Sequence, residues 1–351
     1  MPSFRTATVT SILRERPGLV RVEVDVHGEG VRRAYALTDL VGPVSAGDEV
    51  VLNTTAVELR LGTGGWHVVH WNLTAGASSR PGPGHIMKLR YTSLQTDTGA
   101  AEELQADVLA GARDLGGMPV VVGGLHSQVP CVAVAVAGAR PGLRVAYVMT
   151  DGGALPLALS ELVPAMERAH LLAGTVTAGH AFGGDLEAVN VPSALVVARH
   201  VLGADVAIVS MGPGSVGTGT ALGFSALEVA PALDAAARLG GQPVAVCRFS
   251  LADERARHQG VSHHTSTALG LTAAPVTIGI PSGPYARRVR DDLQAAGVAD
   301  RHRLVEVPDL GVAELLAASG LPVTTMGRGP AEDPGAFAVA GAAGTVAATL
   351  V

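Results

Sequence analysis

The sequence predicts an α/β protein in which a mostly parallel sheet is flanked by helices in Rossmann-like layers, preceded by a small N-terminal β-barrel or sandwich module. Two patterns predict this fold class. Residues 1–75 contain short strand-sized segments separated by turn residues. After residue 84, short apolar runs alternate with segments of helical length, as they do where βα units build a parallel sheet. A hydrophobic content of 48% is enough for a packed core in a chain of 351 residues.

The N-terminal module is predicted from strict alternation and from its turns. In residues 20–26, valines alternate with charged residues, which places the valines on one face of a strand. Turn dipeptides such as Pro17-Gly18 and His27-Gly28 separate the segments. Short strands at this spacing are typical of a small barrel or sandwich. The predicted strands are residues 8–13, 19–26, 31–37, 49–53, 56–61 and 66–71.

A stretch rich in glycine, proline and serine, residues 76–84, is predicted to link this module to an α/β domain formed by residues 85–351. The predicted strands of the domain are residues 119–122, 132–137, 144–149, 174–177, 206–210, 244–248, 276–280, 304–307 and 323–325. The predicted helices are residues 101–115, 155–170, 192–201, 226–239, 285–296, 311–318 and 333–350.

Composition and charge exclude several classes of partner. The net charge of −6 and the absence of a basic stripe argue against a nucleic acid or an anionic membrane. The N-terminus lacks a signal-peptide pattern, and the apolar tail, residues 335–351, is shorter than the ~20 residues that span a bilayer. We therefore expect a soluble, cytoplasmic protein with a buried terminal helix. Packing of that helix on a second copy of the chain, which would give a homo-oligomer, is a further hypothesis.

Ionisable residues follow several predicted strands of the α/β domain. Asp151 comes after residues 144–149, His180 after residues 174–177, and Arg248 at the end of residues 244–248. Ligands of open parallel sheets bind outside the carboxyl ends of the strands. These residues are therefore expected to line a ligand crevice. The competing explanation is structural, because every βα turn needs small residues and a helix cap.

The strongest single motif is GPGSVG at residues 212–217, which follows a predicted strand and fits the pattern GxGxxG. Glycines permit a tight turn and a close approach of the backbone to a ligand, and a helix N-terminus offers N–H groups to an anion. A small anionic ligand is accordingly expected here. The predicted ligand-binding residues are Gly212, Gly214, Ser215, Gly217, Thr218, Thr220 and Arg248.

Three interpretations of this motif stay open. A dinucleotide fingerprint would place an acidic residue at the end of the next strand, where this chain has Arg248, and Pro213 removes one N–H donor. Arg248 would suit a 2′-phosphate, which keeps an NADP-dependent oxidoreductase among the alternatives. The other two interpretations are a cradle for a different phosphate or carboxylate and a purely structural turn.

A second group of candidates is rich in histidine. His263 and His264 stand between Ser262 and Thr265 at the start of a predicted helical stretch, and His180 lies in a glycine-bracketed loop. Imidazole and carboxylate groups suit zinc, manganese or iron, and a His–Asp pair can act as a general base. No fixed spacing such as HExxH supports a metal, so the cofactor is unknown. The predicted catalytic residues are His180, Asp185, His263, His264 and Asp151, the first four being metal-ligand candidates as well.

One further histidine, His258, stands between Arg257 and Gln259 and is expected to be an exposed helix residue.

Five stretches of the sequence carry unusual combinations of residues: 84–92 (GHIMKLRYT), 179–185 (GHAFGGD), 211–225 (MGPGSVGTGTALGFS), 262–265 (SHHT) and 325–328 (TMGR). In these stretches, and over nearly its whole length, the chain resembles a bacterial protein family known as a domain of unknown function. The resemblance implies no activity, cofactor or catalytic residue.

The residues themselves favour an enzyme, a hydrolase or a transferase, that acts on a small anionic or phosphorylated metabolite. The alternative is a non-catalytic ligand-binding or regulatory protein. Both hypotheses require the turn at residues 212–217, the His180 segment, and the pair His263 and His264 to converge on one cavity.

Overall fold

The computed structural model describes residues 1–77 and 79–351 of the chain. This part divides into two compact units, Met1–Pro83 with Leu89–Asp97, and Gly84–Lys88 with Thr98–Val351. The first unit includes the predicted β-module, residues 1–75, and the second includes most of the predicted α/β domain, residues 85–351. Residues 89–97, predicted to belong to the α/β domain, group with the first unit. The predicted linker, residues 76–84, includes Ser78, which lies outside the described residues.

In the first unit, the described strands close into a barrel in the order β1-β2-β3-β5-β4. The predicted alternation is confirmed, because Val20, Val22, Val24 and Val26 are each at most 2% exposed. The predicted strand 56–61 is wrong, since a short helix begins there instead. The elements are strands β1 (Phe4–Arg16), β2 (Leu19–Val26), β3 (Gly30–Ala36), β4 (Glu49–Asn53) and β5 (Trp66–Asn72), with helices α1 (Thr38–Val41) and α2 (Thr55–Glu58).

The second unit is built on a parallel sheet of eight described strands in the order β11-β10-β9-β12-β8-β13-β16-β17. Its central strands, residues 119–122, 145–150 and 206–211, are buried along their whole length, as expected for a sheet covered by helices on both sides. In chain order, the strands after the barrel are β6 (Met87–Lys88), β7 (Thr96–Asp97), β8 (Pro119–Val122), β9 (Val145–Thr150), β10 (Gly174–Ala178), β11 (Leu186–Ala188), β12 (Val206–Met211), β13 (Gln242–Ala245), β14 (Phe249–Ser250), β15 (Gly260–Val261), β16 (Thr277–Pro281) and β17 (Arg303–Val307).

Helices cover both faces of this sheet. On one face of the sheet, an apolar core contains Val120 of β8 and residues of helices α7, α8 and α10. On the other face, a second core contains Val121 and residues of helices α5, α11 and α12. The described helices of the unit are α3 (Ala101–Leu104), α4 (Ala106–Leu109), α5 (Gln128–Ala139), α6 (Leu162–Arg168), α7 (Val191–His200), α8 (Val229–Arg238), α9 (His263–Leu271), α10 (Ala286–Ala295), α11 (Val312–Ala318) and α12 (Pro334–Leu350).

Some predicted elements of the α/β domain differ from the structure. Residues 132–137, predicted as a strand, lie in the buried helix α5, and residues 323–325 form no strand. The predicted helix 101–115 is reduced to α3 and α4. A short run of apolar residues does not distinguish a buried strand from a buried helix, which explains the error at α5.

The terminal helix α12 is buried as predicted. Thirteen of the seventeen residues of α12 are buried, and the helix packs against α5 and β16 of the same chain. The hypothesis that this helix packs on a second copy of the chain therefore finds no support in its burial. In the described part of the chain, no helix combines the length and the apolar composition needed to cross a bilayer.

Candidate functional site

The carboxyl ends of five neighbouring strands position most of the predicted site residues. Strands β10, β9, β12, β8 and β13 lie side by side and run in the same direction. Asp151 follows β9, His180 follows β10, the glycine motif follows β12, and Arg248 follows β13. These residues therefore lie along one edge of the sheet, where parallel α/β proteins bind their ligands.

Asp151 and His180 meet at this edge. The backbone N–H of His180 donates a hydrogen bond to Oδ2 of Asp151 at 2.9 Å. Gly179 has a φ of 67°, and a Cβ at this position would overlap the Asp151 carboxylate, so the turn requires glycine. The hydrogen bond attaches the His180 loop to the end of β9.

A buried ion pair holds the same loop. Nζ of Lys88 lies 2.6 Å from a carboxylate oxygen of Glu187, and neither side chain is more than 7% exposed. Lys88 also donates to the carbonyl oxygen of Ala181 at 2.5 Å, while Glu187 accepts the N–H of Gly183 at 2.7 Å. Loss of one partner would leave an unpaired buried charge, which is costly. Because both side chains also bond to the backbone of the loop, the ion pair fixes the conformation of the loop. Lys88 lies in the stretch 84–92, the sequence signal that could have identified it.

Glu228, which no sequence pattern indicates as a site residue, lies beside Asp151. The hydroxyl of Thr150 donates to Oε1 of Glu228, and a Cβ at Gly152 would overlap the Glu228 carboxyl group. Burial raises the pKa of Glu228 to about 7; the hydrogen bond from Thr150 opposes this shift and the charge of Asp151 adds to it. The carboxyl group therefore exchanges its proton near neutral pH. We call Thr150, Asp151, His180 and Glu228 the carboxyl cluster.

The glycine motif forms a loop beyond β12. Gly212 is buried, and a Cβ there would overlap the carbonyl oxygen of Ala154, so packing alone requires this glycine. Gly214, Ser215 and Gly217 are exposed, and the φ of Gly214 is 100°, a conformation that favours glycine. The base of the loop is thus packed while its tip faces solvent.

The residues after the loop distinguish it from a dinucleotide-binding turn. The N–H of Thr218 donates to the carbonyl oxygen of Gly223 at 2.8 Å, and the hydroxyls of Thr218 and Thr220 bond to each other at 2.9 Å. A 3₁₀ turn, Ser225–Glu228, comes next, and α8 begins only at Val229. The motif therefore does not open a helix, and the N–H groups of a helix start are not presented by its glycines.

Arg248, His258, His263 and His264 form a second group, which we call the histidine–arginine cluster. Nη1 of Arg248 lies 3.3 Å from Nδ1 of His264, and Nε of Arg257 lies 3.4 Å from Nε2 of His258. Burial lowers the pKa of His258 to about 4 and that of His264 to about 3, and the arginine charges add to both shifts. Burial lowers the pKa of His263 as well. The three imidazoles are therefore neutral at pH 7.

The start of α9 positions these histidines. Ser262 is the N-cap, and its Oγ accepts the N–H of His264 at 3.2 Å, as the sequence predicts for a serine before a helix. The same Oγ lies 2.7 Å from Nδ1 of His258. The prediction that His258 is exposed is wrong: the 3₁₀ turn Ala256–His258 folds the ring against Ser262, and the residue is 2% exposed.

Arg248 lies in a buried, strongly charged environment. Asp253 accepts two hydrogen bonds from the Arg255 guanidinium, at 2.9 and 2.8 Å, and lies 3.8 Å from Nη2 of Arg248. Burial lowers the pKa of Arg248 to about 10, so its side chain remains cationic at neutral pH. Its Nη2 is buried and has no hydrogen-bond partner within the described residues. An anionic ligand would supply the missing acceptor.

Residues 224–228 connect the two clusters. The ring of Phe224 stacks on His264, with centroids 3.9 Å apart and planes inclined by 3°. Glu228, at the other end of this segment, accepts the hydrogen bond of Thr150. A 3₁₀ turn rises by about 2 Å per residue, so the four steps from residue 224 to residue 228 span roughly 8 Å. The two clusters are therefore neighbours along the edge of the sheet.

Asp185 lies at the opposite edge. It precedes β11, and its Oδ2 accepts the N–H and the hydroxyl of Thr175, near the start of β10, at 2.8 and 2.9 Å. Its carboxylate therefore joins the amino ends of two parallel strands. This position does not fit the predicted catalytic and metal-binding roles of Asp185.

The three groups that were predicted to meet in one cavity lie instead in two clusters along one edge of the sheet. Three strands separate β10 from β13, which places their ends about 19 Å apart at the usual strand spacing. His180 consequently lies with Asp151, away from His263 and His264. The predicted metal-ligand set of His180, Asp185, His263 and His264 is not brought together.

Comparisons with known proteins identify the family of the chain without assigning an activity. No curated protein and no solved structure matches it. The family model described as "Protein of unknown function (DUF3866)" matches residues 33–344, a range that contains both clusters and the glycine loop. This match confirms the resemblance observed in the sequence, and the chain belongs to the DUF3866 family of proteins of unknown function.

Proposed function

We propose that this chain is an enzyme of the hydrolase or transferase class that acts on a small anionic or phosphorylated metabolite at the carboxyl edge of the sheet. One observation carries the proposal. Residues 224–228 bring Glu228, whose pKa is about 7, next to the cluster that contains the buried cation Arg248. Proton transfer and stabilisation of negative charge are the two operations that such chemistry requires.

In this proposal, Arg248 binds the anionic group of the substrate. Its buried Nη2 lacks an acceptor within the described residues, and a phosphate or carboxylate oxygen would form a charge-assisted hydrogen bond with it. The cavity beside Arg248 and His264 has a volume of about 20 Å³, which admits a group the size of water. Because a phosphate group is larger than this cavity, the glycine loop beyond β12 has to move when the substrate binds.

Glu228 would transfer the proton, because a carboxyl group with a pKa near 7 both donates and accepts protons at neutral pH. Asp151 would orient the site through its hydrogen bond to the His180 loop. His180 belongs to the same cluster and is a second candidate for the proton transfer. The hydroxyl groups of the glycine loop, on Ser215, Thr218 and Thr220, would contact the anion when the loop closes.

A substrate panel tests this proposal directly. Turnover of p-nitrophenyl phosphate, bis(p-nitrophenyl) phosphate and p-nitrophenyl acetate should be measured between pH 5 and pH 9. We expect the rate on the accepted ester to change near pH 7, where Glu228 titrates. Glu228→Gln should lower the rate about 10²- to 10⁴-fold and remove that inflection, because the amide cannot exchange a proton. Glu15→Gln, a change at an exposed carboxyl group, is the matched control and should leave the rate unchanged.

Calorimetric titration with inorganic phosphate separates binding from catalysis. We expect wild-type protein to bind phosphate and Arg248→Met to weaken binding at least about tenfold, which corresponds to about 1.4 kcal/mol. Phosphate binding that depends on Arg248, without turnover of any ester in the panel, would support the non-catalytic ligand-binding protein instead. If Arg248→Met bound phosphate as wild type does, the proposed anion site would be wrong.

A further inference from the structure

We infer that His258, His263 and His264 bind one first-row transition-metal ion, with zinc as the first candidate. One ring nitrogen from each of these residues lies within 4.8 Å of the others. In a tetrahedral zinc site with Zn–N distances of about 2.0–2.1 Å, the ligand nitrogens are about 3.4 Å apart. Small rotations of the three side chains would therefore bring them to a common ion.

The surrounding residues fix the orientation of two of the rings. Oγ of Ser262 lies 2.7 Å from Nδ1 of His258, which leaves Nε2 of His258 as the metal-binding nitrogen. A metal ion at this nitrogen takes the place of the hydrogen bond from Nε of Arg257. Phe224 stacks on His264 and fixes the plane of its ring. Metal-binding histidines are characteristically held by a hydrogen bond on the other ring nitrogen, as Ser262 holds His258.

His263 provides an independent observation. Its Nε2 is buried and has no hydrogen-bond partner within the part of the chain that the structure describes. Buried polar atoms in native proteins nearly always have a partner. A metal ion between the three rings would satisfy this nitrogen.

The donor set indicates the kind of metal. Three neutral imidazoles suit zinc, cobalt, nickel or copper better than magnesium or calcium, which prefer oxygen. Three protein ligands also leave the fourth tetrahedral position open, as in catalytic zinc sites and unlike the closed structural ones.

The neighbouring arginines add a second, testable feature. Arg248 and Arg257 place guanidinium nitrogens 3.3 and 3.4 Å from ring nitrogens of His264 and His258. The positive charge so close to the ring nitrogens opposes a cation. An anion in the open fourth position would offset this repulsion, so metal and phosphate should bind cooperatively. The metal site itself does not depend on the proposed function, whereas the identity of the anion rests on it.

Titration of the full-length, chelator-treated protein tests the inference. Zinc binding should be followed by calorimetry and cobalt binding by visible absorption, each with and without inorganic phosphate. We expect one ion per chain, tighter binding in phosphate, and an increase in Tm on zinc addition. His263→Ala should weaken zinc binding by about a hundredfold or more, since loss of even an outer partner costs 10- to 100-fold. His200→Ala, at an exposed histidine of α7, is the matched control and should bind zinc as wild type does.

Arg257→Gln distinguishes a metal site from an anion site. Removal of this cation should strengthen zinc binding and weaken phosphate binding, roughly tenfold each. Circular dichroism of each variant without metal checks that it is folded. Absence of saturable zinc and cobalt binding to folded wild-type protein, or equal losses in His263→Ala and His200→Ala, would overturn the inference. Zinc binding without ester turnover would leave the metal site standing and remove only the enzymatic proposal.

Discussion

At the scale of single residues, burial and hydrogen bonding set the protonation states near the carboxyl edge. Burial lowers the pKa of His126, which follows β8, to about 4. The hydroxyl of Tyr147 donates to the carbonyl oxygen of Met211 at 3.1 Å, so it accepts from Nδ1 of His126 at 3.0 Å. Nε2 of His126 then accepts from Ser160 at 2.7 Å. This network holds a neutral imidazole and links the segment after β8 to the middle of β9 and to the end of β12.

Tyr147→Phe tests this network. The substitution removes the acceptor of the His126 N–H and leaves buried polar groups without partners. We expect the free energy of unfolding to fall by about 1–3 kcal/mol in urea titrations followed by circular dichroism. Tyr91→Phe is the matched control because Tyr91 is 99% exposed, and it should change the free energy by less than about 0.5 kcal/mol. Similar small effects in both variants would contradict the network.

The positions of some of these residues could be predicted from the sequence, and the positions of others could not, for physical reasons. Asp151 and His180 directly follow apolar runs, so the topology of a parallel sheet predicts their position. Asp185 precedes a three-residue strand that is too short to produce a pattern. Glu228 reaches Thr150 through a 3₁₀ turn, and its raised pKa arises from burial that no local pattern reveals.

At the scale of elements, the core is filled by close packing of helix backbones, because only 3% of the residues are aromatic. A Cβ at Gly344 of α12 would overlap the carbonyl oxygen of Val132 in α5, and a Cβ at Gly279 of β16 would meet the backbone of Ala342 at 2.5 Å. The helix α5 is apolar on every side because it is covered on every side. It therefore shows no amphipathic period, which is why a sequence pattern could not distinguish it from a strand.

A pair of glycine substitutions tests this packing. Gly344→Ala should lower the free energy of unfolding by about 1–3 kcal/mol, because the added methyl group forces α12 away from α5. Gly270→Ala is the matched control within another helix, α9, where a Cβ would lie more than 4 Å from every neighbouring atom of the described residues. It should raise the free energy by about 0.5–1 kcal/mol through helix propensity. Urea unfolding of both variants gives the comparison. A stabilising effect of Gly344→Ala would show that the two helices are not in close contact.

At the scale of the whole molecule, stability depends on pH through groups with opposite shifts. The folded-state pKa of His126 is below the usual 6.5, so the unfolded chain takes up a proton first and stability falls as pH decreases from 6.5 to about 4. His258 and His264, with pKa values of about 4 and 3, act in the same direction. The folded-state pKa of Glu228 is above the usual 4.5, so its protonation adds stability as pH decreases from about 7 to 4.5. Glu228 thus offsets part of the destabilisation that the histidines cause in acid.

Glu228→Gln should expose this compensation. At pH 8 the variant should be more stable than wild type by up to about 3 kcal/mol, because a buried charge is removed; at pH 4.5 the difference should vanish, because the carboxyl group is then protonated in the folded protein. Its free energy of unfolding, measured in urea at pH 8, 7, 6 and 5, should therefore fall more steeply with acid than that of wild type. Glu15→Gln, at an exposed carboxyl group, should follow the wild-type curve. Parallel curves for Glu228→Gln and wild type would mean that burial does not shift Glu228. A variant that gains stability while losing turnover would indicate that this buried carboxyl group serves catalysis at the expense of the fold.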